Sequence, residues 1–268
     1  MRASLIQIAV DPDETPNSRR ERVRSLVAGQ RGVADLVVLP ELWPVGAFAY
    51  ESFESEAEPR TGSTYRAMAG AAAEASVWLH AGSFVERAPD GTLYNTSLVF
   101  SPSGDLAAAY RKIHRFGFDQ GEAVMMGAGD ELVTAPVPGL PLGLATCYDL
   151  RFPELFRGLV DAGALAFAVP AGWPARRRGH WTLLARARAV ENQAYVLACS
   201  TAGTHAGVPQ AGHSLVVDPW GEVVAEAGEA EEILTVDLDP ALVATTRDRF
   251  PALKDRRLGT PPPPPPRP

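Results

Sequence analysis

The residues of this chain with the greatest chemical capacity are a thiol, a carboxylate and an ammonium, and each stands where a predicted strand ends. In Leu144-Ala145-Thr146-Cys147-Tyr148-Asp149-Leu150-Arg151-Phe152-Pro153-Glu154, the apolar run from Leu140 to Ala145 reads as a strand. Pro153 then opens a helical pattern with Leu155, Phe156, Leu159 and Val160 on one face. Cys147 therefore falls on a strand-to-helix corner, which exposes a side chain at the end of a sheet and turns free N–H groups toward whatever the sulfur attacks. A thiol nucleophile needs a base for its proton and positive charge where an oxyanion develops. Glu41 closes the buried run Leu36-Val37-Val38-Leu39-Pro40, and Lys112 lies just past the strand ending at Tyr110. Sites in α/β folds assemble from such carboxyl ends of strands. Singly, each residue has a plainer reading, as an inert buried cysteine or a solvated charge. Cys199, inside the apolar run Tyr195 to Cys199, reads as inert core; His114 reads as a structural hydrogen-bond partner, and Asp149 with Arg151 as a pair that shapes the corner.

The elements that must carry these residues follow a pattern that occurs twice. Ser4 to Val10 is a predicted strand, Pro16-Asn17-Ser18 starts a helix with Val23, Leu26 and Val27 on one face, and Leu36 to Leu39 is a strand buried on both sides. A helix over Thr64 to Ala75 and a strand over Val77 to Phe84 come next, then a hairpin of Thr96 to Phe100 with Leu106 to Tyr110. After Cys147 the order recurs: a buried strand over Ala164 to Val169, a helix over Trp181 to Glu191, a strand over Tyr195 to Cys199, and His213 to Gly221 echoing Asn95 to Gly104. Such a pseudo-repeat favours two packed layers of similar build, and predicts an α/β fold of four layers, an α-β-β-α sandwich. Residues 1–259 form one predicted domain, and the proline run of 260–268 is read as an extended tail without a core.

Composition narrows the function. With 268 residues, 46% of them hydrophobic and 21% charged, the chain has material for a large core. Its net charge of −7 and lack of a basic stripe argue against nucleic acid. No apolar run reaches membrane-spanning length and nothing at the N-terminus resembles a signal peptide, so a reduced, cytoplasmic protein is expected. The five histidines make no paired ligand spacing with either cysteine, so no metal is predicted, and no glycine-rich cradle announces a nucleotide cofactor.

Pro40-Glu41, Arg111-Lys112-Ile113-His114 and Thr146-Cys147-Tyr148-Asp149-Leu150-Arg151-Phe152-Pro153-Glu154, in this order, resemble the Glu-Lys-Cys signature of the nitrilase superfamily of carbon–nitrogen hydrolases. The similarity runs from the first strand to about Asp239 and includes Trp181 to Asn192. It implies catalytic Glu41, Lys112 and Cys147, with Glu122 as a second glutamate, and a thioester acyl-enzyme without cofactor. It also implies an oxyanion held by Lys112 and the N–H of Tyr148. Tyr148-Asp149 replaces the Trp-Glu of true nitrilases, which points to the amidase-like branch near omega-amidases and deaminated-glutathione amidases. The expected substrate is a small linear amide. Within Arg176-Arg177-Arg178, Arg176 is the candidate for a substrate carboxylate, and Trp173 is a candidate pocket wall. The alternatives are a nitrile or N-carbamoyl hydrolase of the same superfamily and a non-catalytic binding relative. Relatives associate through the helix after the nucleophile, here Pro153 to Asp161, so a homodimer is expected.

Overall fold

The computed structural model describes residues 1–259; the proline tail of 260–268 lies outside the described residues. Among the described residues, fourteen strands make two six-stranded sheets and one short hairpin. The first sheet holds β1 (Arg2–Gln7), β2 (Leu36–Val38), β3 (Trp78–Arg87), β4 (Leu93–Phe100) and β5 (Leu106–Arg111). The second holds β6 (Thr134–Ala135), β7 (Leu142–Leu144), β8 (Ala166–Ala171) and β9 (Tyr195–Ser200). A hairpin of β10 (Thr204–His205) and β11 (Val208–Pro209) follows, β12 (Leu215–Val217) and β13 (Val223–Glu226) complete the second sheet, and β14 (Glu232–Asp237) returns to the first.

The two sheets share one plan. Their orders are β14-β1-β2-β3-β4-β5 and β6-β7-β8-β9-β12-β13. Read in those orders, the five pairings of each sheet are antiparallel, parallel, parallel, antiparallel, antiparallel. The internal repeat expected from the sequence is therefore present strand by strand, β2 matching β8 and β4 matching β12.

Helices α1 (Pro16–Ala28) and α3 (Ser63–Ala75) cover the outer face of the first sheet, and α5 (Pro153–Asp161) and α6 (Arg178–Asn192) that of the second; α2 (Phe53–Glu56), α4 (Glu122–Met125) and α7 (Ala241–Arg249) lie elsewhere. Strand alternation distributes side chains between three cores. Leu36 and Val38 point into the inter-sheet core with Leu144, Ala168 and Leu197, while Val37 and Leu39 face Val23, Val27 and Met68 of α1 and α3. In the second sheet Phe167 and Val169 face Phe156 of α5 and Trp181 of α6. Four layers result. Among the described residues no helix is long and apolar enough to cross a membrane.

Three local differences from the sequence reading matter for the site. The second basic helix begins at Arg178 rather than Trp181, because the chain enters it through a 3-10 turn at Ala175–Arg177 before the apolar periodicity starts. The first strand ends at Gln7, so Ala9 meets the second half of the chain only through an isolated bridge to Ala202. Leu155, Phe156 and Leu159 of α5 are buried in the core of this chain, so the apolar face read as spare for a partner packs inward.

Candidate active site

Cys147 lies three residues past the end of β7 and opens a 3-10 turn, Cys147–Arg151, with φ +48°, a left-handed backbone that costs about 1–2 kcal/mol for a residue with a Cβ. Asp149 holds this turn in place. Its Oδ2 accepts from the backbone N–H of Thr146 (2.8 Å) and the hydroxyl of Tyr110 (2.7 Å). Its Oδ1 accepts from the backbone N–H of His114 (2.9 Å) and lies 2.8 Å from His114 Nδ1. Thr146 and Asp149 form a capping box on the turn. Asp149 thus bonds forward to the first sheet, and the pairing with Arg151 expected from the sequence is absent. His114 is the hydrogen-bond partner expected of it, its ring stacked on Phe152 with centroids 3.7 Å apart.

The first sheet delivers the remaining groups to the same place. Lys112, beyond β5, is fully buried and donates to Glu41 Oε1 (2.7 Å) and Glu122 Oε2 (2.6 Å). Glu41 Oε1 also accepts from Asn95 Nδ2 at 2.9 Å, and Glu41 Oε2 accepts the backbone N–H of Gly172 at 2.8 Å, at the end of β8. Asn95 Nδ2 donates to Glu122 as well, and the backbone N–H of Phe116 reaches Glu122 Oε2 at 2.9 Å. Burial opposes the charge of Lys112, but Glu122 and Glu41 outweigh it and hold the ammonium well above its ordinary range. Burial likewise pushes the Glu122 carboxyl up, against the pull of Lys112. The Cys147 thiol is raised well above its ordinary value, first by burial and then by the negative charge of Glu41, with Lys112 opposing. The thiol is therefore favoured in its neutral form at rest, and acting as a nucleophile would require its proton to be taken during attack rather than before it.

These groups line one pocket. Glu41, Lys112, Glu122, Cys147, Tyr148 and Trp173 all line it. The basic run is turned differently from the expectation. Arg176 is exposed and outside the pocket, and Arg178 pairs with Glu226 at 2.9 Å. The 3-10 turn instead brings Arg177 to the pocket, with Arg151 entering from the nucleophile corner. Arg151 lies over the Trp173 ring at 5.1 Å and Arg177 over Phe116 at 5.4 Å. Among the described residues neither has a carboxylate within ion-pair distance. Burial and the like charges of Arg176 and Arg151 lower Arg177, so an anion beside its guanidinium would offset that repulsion. Sequence reasoning also missed Asn95 and Gly172. The signal for Asn95 was its place in Asn95-Thr96-Ser97, a polar run inside a strand where Asn is disfavoured.

In this four-layer α-β-β-α protein the thiol follows a strand of one sheet, Glu41 and Lys112 follow strands of the other and Glu122 comes from α4, an arrangement with the groups that acyl transfer needs. The chain belongs to the carbon–nitrogen hydrolase family, whose model matches residues 2–248. It is similar to the 2-oxoglutaramate amidase of Paenarthrobacter nicotinovorans, 41% identical over 262 residues, covering 95% of this chain and 88% of that protein. It is also similar to the human omega-amidase NIT2, 36% identical over 266 residues, covering 96% of this chain and 95% of the relative. Among solved structures, Saccharomyces cerevisiae Nit3, a member of branch 10 of the nitrilase superfamily, matches with a TM-score of 0.87 and 32% identity over 96% of this chain and 97% of that one.

Proposed function

We propose that this protein hydrolyses the terminal amide of a short ω-amido acid, releasing ammonia, with Cys147 as nucleophile. The observation that carries this reading is a pocket with the buried thiol, Glu41 and Lys112 at its floor and two guanidiniums, Arg151 and Arg177, without carboxylate partners at its wall. A linear substrate with an amide at one end and a carboxylate at the other answers both ends. The names of the relatives, amidases of 2-oxoglutaramate and of omega-amides, support the same class.

In this scheme Cys147 Sγ attacks the amide carbon while its proton passes to Glu41. Glu41 Oε1 already accepts from Lys112 and Asn95, whereas Oε2 accepts only from Gly172, so Oε2 is the oxygen with room for the proton. Lys112 and the N–H of Tyr148, near the start of the 3-10 turn and without an intrahelical partner, stabilise the oxyanion. Glu41 returns the proton to the nitrogen as the C–N bond breaks, ammonia leaves, and a thioester remains. Water then attacks the thioester with Glu41 again as base, giving the carboxylic acid and the free thiol. Glu122 keeps Lys112 charged and fixed.

The test is a kinetic comparison of Arg151→Met and Arg177→Met on an ω-amido acid and on a neutral aliphatic amide of equal length. A charge-assisted contact contributes roughly 1.5–3 kcal/mol, so KM for the acid rises about tenfold or more while the neutral amide is little affected. Equal losses on both substrates, or none on either, overturn the carboxylate reading. Adding an N-carbamoyl acid and a nitrile to the panel separates amide hydrolysis from the other activities of the superfamily.

We further propose a homodimer as the working unit. Its support is apolar surface on α6, where Leu183 and Val190 are exposed, and nearby Trp220. A cytoplasmic setting is proposed with it, because a working Cys147 must remain reduced and both cysteines are unpaired.

A further inference from the structure

Glu41 sits in a turn held locally through the Leu42 carbonyl, which accepts from the N–H groups of Val45 and Gly46, and from outside by a neighbouring strand. Leu42, directly after it, has φ +44°, and Pro40 before it has no N–H to contribute. The turn rests on a distortion in the adjacent strand. Strands β2 and β3 pair regularly from Leu36↔Trp78 to Val38↔His80, and the register of β3 against β4 then breaks between His80 and Ser83. At this break Gly82 has φ +64°, and a Cβ there would lie 2.0 Å from the Pro40 carbonyl oxygen. The glycine is thus required by close backbone approach.

Across the break, one residue grips the chain on both sides of Glu41. The backbone N–H of Ser83 donates to the Pro40 carbonyl at 3.2 Å, and Ser83 Oγ accepts the backbone N–H of Leu42 at 2.9 Å. Trp43 Nε1 adds a bond to the Ala81 carbonyl at 2.9 Å. Ser83 stands opposite Ser97 of β4, whose hydroxyl lies 3.3 Å from Thr146 Oγ1, the residue before the nucleophile. One rung of the first sheet therefore touches the turn of the carboxylate at one end and the turn of the thiol at the other. Ser83 itself is buried and does not line the pocket.

From this geometry we infer that Ser83 is a positioning residue for the reaction: by clamping the peptide groups flanking Glu41, it sets the place of the base relative to Cys147. The inference rests on the reading of Glu41 as base. Loss of the hydroxyl frees the Leu42 N–H and lets the turn drift without touching substrate contacts.

The experiment combines steady-state kinetics on the ω-amido acid with the pH dependence of Cys147 alkylation by iodoacetamide, for wild type, Ser83→Ala, Glu41→Gln and the double variant. Displacing a catalytic group by about 1 Å costs up to roughly 100-fold, so Ser83→Ala is expected to lower kcat about 10- to 100-fold with KM changed less than about twofold. Because the charge of Glu41 raises the thiol, Glu41→Gln moves the alkylation midpoint to lower pH, and Ser83→Ala moves it part of the way. In the Glu41→Gln background, Ser83→Ala moves it no further. A Ser83→Ala protein with a lower melting temperature but unchanged kcat and midpoint overturns the inference, as does a further shift in the double variant. Ser83→Cys, similar in size with a weaker acceptor, should fall between wild type and Ser83→Ala in kcat, and carries the comparison if Ser83→Ala does not fold. Glu41→Gln with wild-type kcat removes the reading of the base itself, a result distinct from failure of the clamp alone.

Discussion

Asn95 is the residue on which the electrostatics of the floor turn. Its single amide nitrogen donates to Glu41 and to Glu122, and its backbone carbonyl receives the N–H of Lys112 at 2.9 Å. Two buried carboxylates share one lysine, so each neutral donor favours their ionised forms. Asn95→Ala removes a donor from both. The acid limb of the kcat/KM profile then moves to higher pH, alongside a loss in kcat of about tenfold or more. A pH profile superimposable on wild type would sink this account of Asn95. Glu41, Lys112 and Cys147 were legible because each follows an apolar run and carries a reactive group. Asn95 was not, since its partners lie 54 and 27 residues away and an amide in a strand announces no chemistry by itself.

At the level of the element, the corner after β7 works because Asp149 bonds both its own turn and the loop after Lys112. All of its bonds to backbone N–H and to the Tyr110 hydroxyl use it as an acceptor, so an amide in its place must aim a donor at a donor. Asp149→Asn should destabilise the protein by roughly 2–4 kcal/mol, since a buried, charge-assisted network is broken. It should also lower kcat more than KM, read by melting and steady-state kinetics; a variant equal to wild type in both would show that the corner holds itself. The corner itself was visible in the sequence, from the apolar run that stops at Ala145 and the proline at 153. The orientation of the basic run was not. Arg176, Arg177 and Arg178 differ only by position on a 3-10 turn and first helical turn, and which one faces the pocket depends on how Pro174 and Trp173 direct the chain into that turn. Trp173 contributes by donating its Nε1–H to the Arg177 carbonyl at 2.9 Å.

Over the whole molecule, the repeated sheet plan explains why so much of the architecture could be read in advance. Strands such as Leu36–Val38 and Ala166–Ala171 bury both faces and therefore appear as unbroken apolar runs. The short edge strand β6 and the closing strand β14 were missed, because two-residue and half-exposed strands carry little pattern. The packed interior also has a pH consequence. Burial lowers His80 and His205 to about 4. Below the unfolded value near 6.5 the unfolded chain binds protons that the folded chain refuses, so stability is flat above that pH and falls as pH drops toward 4, by about 1.4 kcal/mol per group per unit. Melting temperatures recorded from pH 8 to pH 4 should show this fall, and a level curve would contradict it. Sedimentation at micromolar concentration should give a dimer, with Leu183→Asp shifting it toward monomer; a monomeric wild type would count against the proposed unit. The central claim joins the two sheets through one covalent step, and ammonia release from an ω-amido acid by wild type and by folded Cys147→Ala tests it most directly. The account predicts loss of at least about a thousandfold with the fold intact, as follows from removing a nucleophile. A Cys147→Ala protein that releases ammonia at a rate within tenfold of wild type, a margin of about 1.4 kcal/mol in the barrier, would contradict it.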